Sequence, residues 1–499
     1  MSVTKNIFRR AAAVGVALLM TSSMATISFG QEQPPAPAPP RSVNIPKPVE
    51  KTLKNGLRVI VVERPNMPLV TSSLMIKSGG EVDPANLSGL ANTTADLLTK
   101  GTKTRTAPEI AQAVEALGGD LNSGASWDAS VVSVNVASPK INQAMDILAD
   151  VVRNPTFKDE EVERLRQQNM DSLKQAMASP GTIASYVAAR VVFGDDAYGH
   201  PLAGTPESIQ RIKRDDIVAL HDKYYRPDNA VLVFAGDIKA ADAFKLAERL
   251  FGDWARPSAA LPAMEMKAAS DELGAKSRVV VIDMPDAGQA AVVLARRGLK
   301  RTDPEYFRGI VANTVLGGGY SARLNQEIRI KRGLSYGASS SLSSRRDVGS
   351  FTASAQTKNE SGAVVAGLLM GELTRLASEP VADTELTPRK AVLTGNFGRN
   401  LETTGGLATQ VGNLALYGLS LDEINNYIRN VQAVSAGDVQ KFAGSRIDAK
   451  GANLIIVGNS KLFLEDLRKQ FPNVEVISIT DLDLNGAGLK KNASGSLKK

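Results

Sequence analysis

The 499-residue sequence contains no cysteine and only two histidines, His200 and His221. The absence of cysteine excludes disulfide frameworks, thiolate zinc sites and cysteine nucleophiles. Two histidines leave little imidazole from which to build a metal centre or a proton shuttle. With 43% hydrophobic and 22% charged residues, the composition is that of a globular protein and not of a disordered, collagenous or multi-span membrane protein.

An excess of one charge is also missing from the body of the chain. The formal net charge is +7, but three of these positive charges lie in residues 1–30 and four lie in the last ten residues. Because the residues between are neutral overall, we expect no nucleic-acid partner. Residues 485–499 are rich in Gly, Asn, Ser and Lys, which predicts a flexible basic tail.

The N-terminus has the features of a targeting segment. In residues 1–30, three basic residues precede an apolar run over residues 11–20, and small residues follow. The run is too short to span a bilayer, which predicts a removable signal peptide and no stable membrane insertion. The mature protein is therefore expected in the periplasm or outside the cell, where a chain without cysteine is well suited. Residues 31–48, rich in Pro and Ala, are predicted to be a spacer.

From residue 49 onward the same order of predicted elements occurs twice. Strands are predicted at residues 57–63, 69–77, 119–126, 130–137 and 230–235, and again at 278–282, 290–295, 335–343, 349–356 and 453–457, with helices between them. The matched order predicts an α+β fold with two homologous domains, each a mainly antiparallel β-sheet flanked by helices. The domains are placed at 49–256 and 277–484, joined by a linker at 257–276, and together they would form one half of a clam shell.

One segment of the first domain carries a family signature without its ligands. Residues 89–102 read Gly-Leu-Ala-Asn-Thr-Thr-Ala-Asp-Leu-Leu-Thr-Lys-Gly-Thr, which resembles the signature of the pitrilysin or insulinase family of zinc peptidases, the inverzincins. In that family, Gly-Leu-Ala is followed by His-x-x-Glu-His on a helix, which places two zinc-binding imidazoles on one face beside a general base. Here the same positions are Asn92, Ala95 and Asp96. The resemblance implies that both histidines and the base have been lost.

The resemblance also implies a position for the third zinc ligand. In the family this is a glutamate about 80 residues beyond the first histidine, and the count reaches Ser172, beside Asp171. An amide, a carboxylate and a hydroxyl are poor zinc ligands. We therefore expect no metal and no cofactor in this chain, and no peptide hydrolysis by the chain alone. A hard cation held by Asp96 and Asp171 is one alternative, and a helix whose polar face only packs or is solvated is another.

The second domain resembles the second signature of the family. Glycines 317–319 are followed by Arg329 and, seven residues later, by Tyr336. The resemblance implies that Arg329 and Tyr336 bind the substrate backbone and stabilise an oxyanion, and that Gly317, Gly318 and Gly319 let an extended peptide approach the chain closely. A guanidinium or phenol that donates to the oxyanion in a closed chamber stabilises the transition state by roughly 3 kcal/mol per donor. Taken alone, the two residue types also fit a charged helix face and a packed tyrosine.

The zinc-binding signature is lost and the Arg/Tyr signature is retained, which suggests that two chains together form one active site. Some members of the family work as two-chain enzymes, as in mitochondrial processing peptidase and certain bacterial heterodimers, in which one subunit holds zinc and its partner holds none. The resemblance implies that this chain is the zinc-free subunit of a heterodimeric periplasmic metallopeptidase that cleaves short unfolded peptides. Zinc is expected in a paralogous partner with an intact His-x-x-Glu-His. The alternative is a non-catalytic scaffold or peptide-binding protein with the same fold.

Overall fold

The computed structural model describes residues 45–262 and 277–491. The predicted signal peptide, most of the spacer, residues 263–276 of the predicted linker and residues 492–499 lie outside the described residues. Within the described ranges, no helix is both long enough and apolar enough to cross a bilayer. The strands are β1 Val49–Thr52, β2 Arg58–Glu63, β3 Leu69–Ile76, β4 Asp120–Ala125, β5 Ser130–Ala137, β6 Ala230–Gly236, β7 Val279–Asp283, β8 Ala290–Arg297, β9 Leu299–Lys300, β10 Ser335–Leu342, β11 Ser344–Arg345, β12 Ser350–Thr357, β13 Asn453–Gly458 and β14 Val474–Ser478.

These strands form two six-stranded sheets with related topologies. The first sheet has the order β1-β2-β6-β3-β5-β4, and only β2 and β6 run parallel. The second has the order β10-β12-β8-β13-β7-β14, in which β7 runs parallel to both of its neighbours. The short strands β9 and β11 form a separate parallel pair. Both large sheets are mainly antiparallel, as the sequence predicted.

Helices cover these sheets and connect their strands. In the first half they are α1 Leu90–Leu97, α2 Ala107–Ala116, α3 Ile141–Arg153, α4 Asp159–Ala176, α5 Pro180–Phe193, α6 Pro206–Arg211, α7 Arg214–Tyr224 and α8 Ala240–Phe251. In the second half they are α9 Tyr306–Leu316, α10 Arg323–Asn325, which continues into a π-helical turn at Gln326–Ile330, α11 Gly362–Ser378, α12 Asp383–Asn400, α13 Thr404–Leu416, α14 Glu423–Ala433, α15 Ala436–Arg446 and α16 Leu464–Gln470. The predicted α+β class with two similar units is confirmed.

Each half sends one helix onto the sheet of the other half. Helix α5 begins after Ser179, whose side chain accepts a hydrogen bond from the Thr182 amide, and has proline at its first position. Its buried face, including Ile183 and Val187, shares a core with Val293 of β8 and other residues of the second sheet. In return, α13 packs on the first sheet, where its apolar residues join a core with those of β2 and β6. The exchange buries apolar surface between the halves and fixes their mutual position.

The C-terminal segment packs against this junction. Leu484 and Leu489 are buried in the same core as α5. The Arg190 Nε of α5 donates to the Leu484 carbonyl at 2.8 Å, and Thr205 Oγ1 donates to Asn485 Oδ1 at 2.7 Å. Residues 485–491 are therefore docked, unlike the predicted flexible tail from residue 485, because the large apolar side chain of Leu489 is buried and supplies an anchor.

Candidate functional site

The first candidate site lies on α1, where the zinc-binding signature would stand. Asn92 Nδ2 donates a hydrogen bond to Asp96 Oδ2 at 3.1 Å, which joins the two side chains. Ala95, at the position of the base, is fully buried and offers only a methyl group. Burial raises the pKa of Asp96 to about 6, although Lys100 and the bond from Asn92 act in the opposite direction.

The third predicted position does not join this pair. Ser172 and Asp171 lie on the exposed side of α4, whereas the next residue, Leu173, is buried in the core. Asp171 Oδ1 accepts a hydrogen bond from Gln167 Nε2, one turn earlier on the same helix, at 3.3 Å. Within the described residues, no hydrogen bond connects Ser172 with Asn92 or Asp96.

The residues present do not fit zinc. Asn92 is an amide bonded to the Asp96 carboxylate, Ala95 has only a methyl group, and Ser172 has an exposed hydroxyl. These positions lack the imidazole nitrogen and thiolate sulfur that zinc prefers. Among the residues that the structure describes, no group of three His, Cys, Asp or Glu side chains could hold a metal ion. The expectation that this chain binds no metal stays a prediction, and no step of the proposed chemistry passes through a metal here.

Both histidines have packing contacts. His221 Nε2 lies 2.9 Å from the Val152 carbonyl, and its ring stacks on Tyr225. His200 is buried beside Trp127, with Nε2 3.4 Å from Asp83 Oδ2. Because Asp83 caps α1 by accepting from the Gly89 and Ala91 amides, His200 supports the start of that helix.

The second candidate site brings Arg329 and Tyr336 together. The guanidinium carbon of Arg329 lies 4.8 Å from the ring centre of Tyr336 and equally far from that of Tyr320. Tyr336 is 90% exposed and Tyr320 is 64% exposed, so both rings border open space. Among the described residues, no carboxylate lies within ion-pair distance of Arg329. The side chain is thus held by aromatic faces with its hydrogen-bond donors free.

Local backbone irregularities produce this geometry. Arg329 lies in the π-helical turn, a form often found at functional sites. Tyr336 lies where the register of β10 against β12 shifts between Ser335 and Ala338. A bulge of this kind re-aims a side chain out of the regular strand alternation, and here it leaves the Tyr336 ring outside the sheet.

The two side chains border a cavity of about 1110 Å³ between α5 and the second sheet. The predicted residues Gly317, Gly318, Gly319, Arg329 and Tyr336 all line it. The first turns of α5 form the opposite wall. The structure therefore places the whole predicted second site in one cavity and separates it from the positions on α1 and α4.

The glycines differ in how tightly they are surrounded. A Cβ atom on Gly317 would lie 2.2 Å from the Ser340 amide nitrogen, whereas one on Gly319 would meet nothing within 4 Å. We expect Gly317→Ala to lower the free energy of unfolding by about 1–3 kcal/mol through overpacking. Gly319→Ala is the matched control and should leave the melting temperature nearly unchanged. Equal melting temperatures for the two variants would contradict the close packing at Gly317.

Strand β10 lies at the edge of the second sheet, but part of this edge is already occupied. The Ala338 amide donates to Asn325 Oδ1 and the Ser340 amide donates to the Gly317 carbonyl, both at 3.2 Å. A peptide in the cavity must therefore bind through other groups at these positions. In the first half, β4 is also an edge strand, and its Ser123 Oγ donates to the Ala95 carbonyl of α1 at 2.6 Å.

Two further sets of cavity residues were missed from the sequence. Tyr320 directly follows the three glycines, and its place beside the signature was the available signal. The second set is a polar stripe along β12, where polar residues alternate with buried Phe351, Ala353 and Ala355. The stripe consists of Ser350, Thr352, Ser354 and Gln356. A two-residue period with serines on one side of a strand indicates a polar sheet face.

Comparisons with known families match both halves of the chain. Residues 58–205 match the family described as Insulinase (Peptidase family M16), and residues 211–393 match the family described as Peptidase M16 inactive domain. An uncharacterized zinc protease of Rickettsia bellii is 28% identical over 414 residues, covering 82% of this chain and 97% of that protein. An uncharacterized zinc protease of Bacillus subtilis is 27% identical over 384 residues, covering 76% of this chain and 91% of that protein.

Solved structures show the same similarity. A structure described as a peptidase M16 inactive domain from Pseudomonas fluorescens superposes with a TM-score of 0.75 at 26% identity, covering 82% of this chain and 98% of that one. A protease from Helicobacter pylori has a TM-score of 0.77 at 21% identity, covering 83% of this chain and all of that one, and this likeness concerns the fold alone.

Proposed function

Because the chain belongs to the insulinase family of peptidases, we propose that it is the zinc-free subunit of a two-chain metallopeptidase, in which it binds peptide and supplies Arg329 and Tyr336 to the active site of a zinc-binding partner. The observation that carries this proposal is the contrast between the two sites. On α1, Asn92 is hydrogen-bonded to Asp96, whereas Arg329 borders an open cavity and has no hydrogen-bond or ion-pair partner for its side chain among the described residues.

The proposed contribution of this chain is electrostatic. When a peptide carbonyl is attacked, negative charge develops on its oxygen, and donors aimed at that oxygen lower the barrier. Arg329 offers a permanent charge with several N–H groups, and Tyr336 offers one O–H. Their mutual packing orders both side chains before substrate arrives, which reduces the entropic cost of binding.

Substrates are proposed to be short unfolded peptides that can extend through the cavity. Polar residues of β12 and the glycines offer hydrogen-bonding groups without large side chains, which suits an extended backbone of variable sequence. Within the described part of the chain, β4 pairs with β5 alone, so that a peptide can add to it as a further strand. The signal-peptide features of residues 1–30 support export to the periplasm.

The direct test is reconstitution with a paralogue from the same genome that has an intact His-x-x-Glu-His. Each purified chain alone should fail to cleave a quenched unstructured peptide, and the mixture with zinc should cleave it because only the mixture contains a complete site. Gel filtration should show a complex of the two chains. Chelator-sensitive cleavage by this chain alone would contradict the proposal. Peptide binding without cleavage in any such mixture would favour the non-catalytic peptide-binding alternative.

A further inference from the structure

A second cavity, of about 340 Å³, adjoins the cavity that contains Arg329. The two share Ser185 of α5, Val293 of β8 and Ser354 of β12 as lining residues. The polar stripe of β12 runs through both, since Ser354 and Gln356 line the first cavity and Ser350 and Thr352 line the second. A peptide bound along this stripe would pass from one cavity into the other.

The second cavity contains an arginine that has no acidic partner among the residues that the structure describes. Arg345 lines it, and the guanidinium carbon lies 4.6 Å from the ring centres of both Trp127 and Tyr198. Its Nη1 atom is sealed from solvent and has no hydrogen-bond acceptor. Within the described ranges, no carboxylate lies within ion-pair distance of Arg345. Burial lowers the pKa of its guanidinium, which reflects the cost of holding a charge in this position.

The acids in the neighbourhood are already engaged. Asp128 is the carboxylate whose charge acts on Arg345, but its oxygens accept from Tyr198 Oη at 2.6 Å, from Tyr417 Oη at 3.0 Å and from the Arg346 amide at 3.0 Å. Glu81, the other buried acid nearby, binds the Arg346 side chain. No described side chain accepts a hydrogen bond from Arg345, and the part of its side chain other than the sealed Nη1 atom lines the cavity.

We propose that this cavity binds a carboxylate of the peptide substrate, namely the C-terminal carboxylate of a peptide lying along the β12 stripe. A guanidinium binds a carboxylate through charge-assisted hydrogen bonds, and an apolar wall around them strengthens them. The small side chains of α5 in this cavity, Ser185, Ala188 and Ala189, leave room for a last residue. The inference rests on the proposed peptide-binding function and adds that the subunit selects peptides that end near the active site.

Fluorescence anisotropy with the full chain tests this inference. The probe is a fluorescein-labelled, unstructured peptide of about 12 residues, made of Gly, Ser and Ala with a C-terminal leucine, as the free acid and as the amide. The acid should bind about tenfold more tightly than the amide. Two further amides, ending in Glu or in Gln, distinguish the source of the carboxylate. Preference for the Glu amide over the Gln amide would show that a side chain can supply the same group.

Variants assign the preference to Arg345. Arg345→Gln should remove the tenfold difference because it weakens binding of the free-acid peptide and leaves binding of the amide unchanged. Arg345→Lys should retain part of the difference. Arg297→Gln is the matched control, because Arg297 is also half-buried with Nη1 unpartnered but lies near Asp196 and outside the cavity lining. This variant should keep the full difference.

The outcomes separate this inference from the proposed function. Equal binding of acid and amide by the wild type would overturn the carboxylate site while leaving peptide binding intact, and this comparison needs no variant to fold. A tenfold preference that persists in Arg345→Gln would likewise overturn the assignment. Failure of the folded wild type to bind any of the peptides would overturn the proposed function together with the inference.

Discussion

Arg329→Ala is expected to lower kcat of the reconstituted two-chain enzyme by about 10²–10³, with a much smaller change in KM. Removal of one preorganised donor to a developing oxyanion typically costs this much. Arg329 has no ion-pair partner among the described residues, so its replacement leaves no acid unpaired and should not unfold the chain. Tyr336→Phe should lower kcat by about 10², because it removes the O–H but keeps the ring.

A nearby arginine provides the control. Arg332 is exposed, is bonded to Glu327 through Nε and Nη2, and is absent from the cavity lining. Arg332→Ala should leave kcat within about twofold of the wild type, since exposed ion pairs contribute little. Equal losses for Arg329→Ala and Arg332→Ala would contradict a specific role for Arg329 and would point to general disturbance of this turn.

Tyr320 distinguishes positioning from direct donation. Its ring faces Arg329 as closely as the Tyr336 ring does. A cation–π contact at an exposed position is worth about 0.5–1 kcal/mol. Tyr320→Ala should therefore lower kcat only a few-fold, and Tyr320→Phe, which keeps the ring, should have a kcat close to that of the wild type. A loss in Tyr320→Phe as large as in Tyr336→Phe would show instead that the Tyr320 hydroxyl takes part.

The sequence predicted most strands of the two sheets, and the family resemblance drew attention to the residues of the second site. Apolar runs and alternation predicted ten of the strands. Arg329 and Tyr336 were singled out because their segment resembles the second signature of the family, whereas their spacing alone also fitted a charged helix face and a packed tyrosine, and their role stays a prediction. Strand β1 gave no signal because all four of its residues are exposed. Counting along the chain reached Ser172 but could not determine which face of the helix it occupies. Ser172 lies on the exposed side of α4, as in the alternative of a solvated polar face.

The exchange of α5 and α13 between the sheets could not be read from the sequence. Periodicity shows that Ile183 and Val187 are buried, but the same pattern would fit packing on either sheet. The cavity next to Arg345 is a product of this exchange, since α5 from the first half and β12 from the second half form its walls. The carboxylate site was invisible to sequence reasoning for this reason.

The second large effect is expected on the free energy of unfolding, at the contact between the two halves of the chain. Arg346, from the second half, donates through Nη1 to Glu81 Oε1 at 2.9 Å and through Nη2 to the carbonyls of Lys77 and Asp128 at 2.9 and 2.8 Å. Arg346→Met should lower the free energy of unfolding by about 3 kcal/mol, because it leaves buried acceptors in the first half without a donor. Arg58→Met, which breaks the exposed pair with Glu50, is the control and should cost under about 1 kcal/mol.

Glu81 adds a pH dependence to this contact. Burial raises the pKa of Glu81 to about 8, although Arg346 acts in the opposite direction. A carboxyl whose pKa is raised in the folded state binds more protons there than in the unfolded chain. Its contribution to stability is therefore complete below about pH 4.5 and is lost as the pH rises through about 8. The melting temperature of the wild type should fall over this range.

Glu81→Gln isolates the contribution that ionisation of Glu81 makes to stability, because glutamine keeps an acceptor for Arg346 but does not ionise. Relative to the wild type, the variant should gain melting temperature steadily as the pH is raised from about 5 to about 9, by an amount that corresponds to a few kcal/mol. Differential scanning calorimetry across this range measures the difference. A constant offset between the two melting curves would show that Glu81 is ionised throughout, and that Arg346 outweighs the cost of burying the carboxylate at the junction of the two halves.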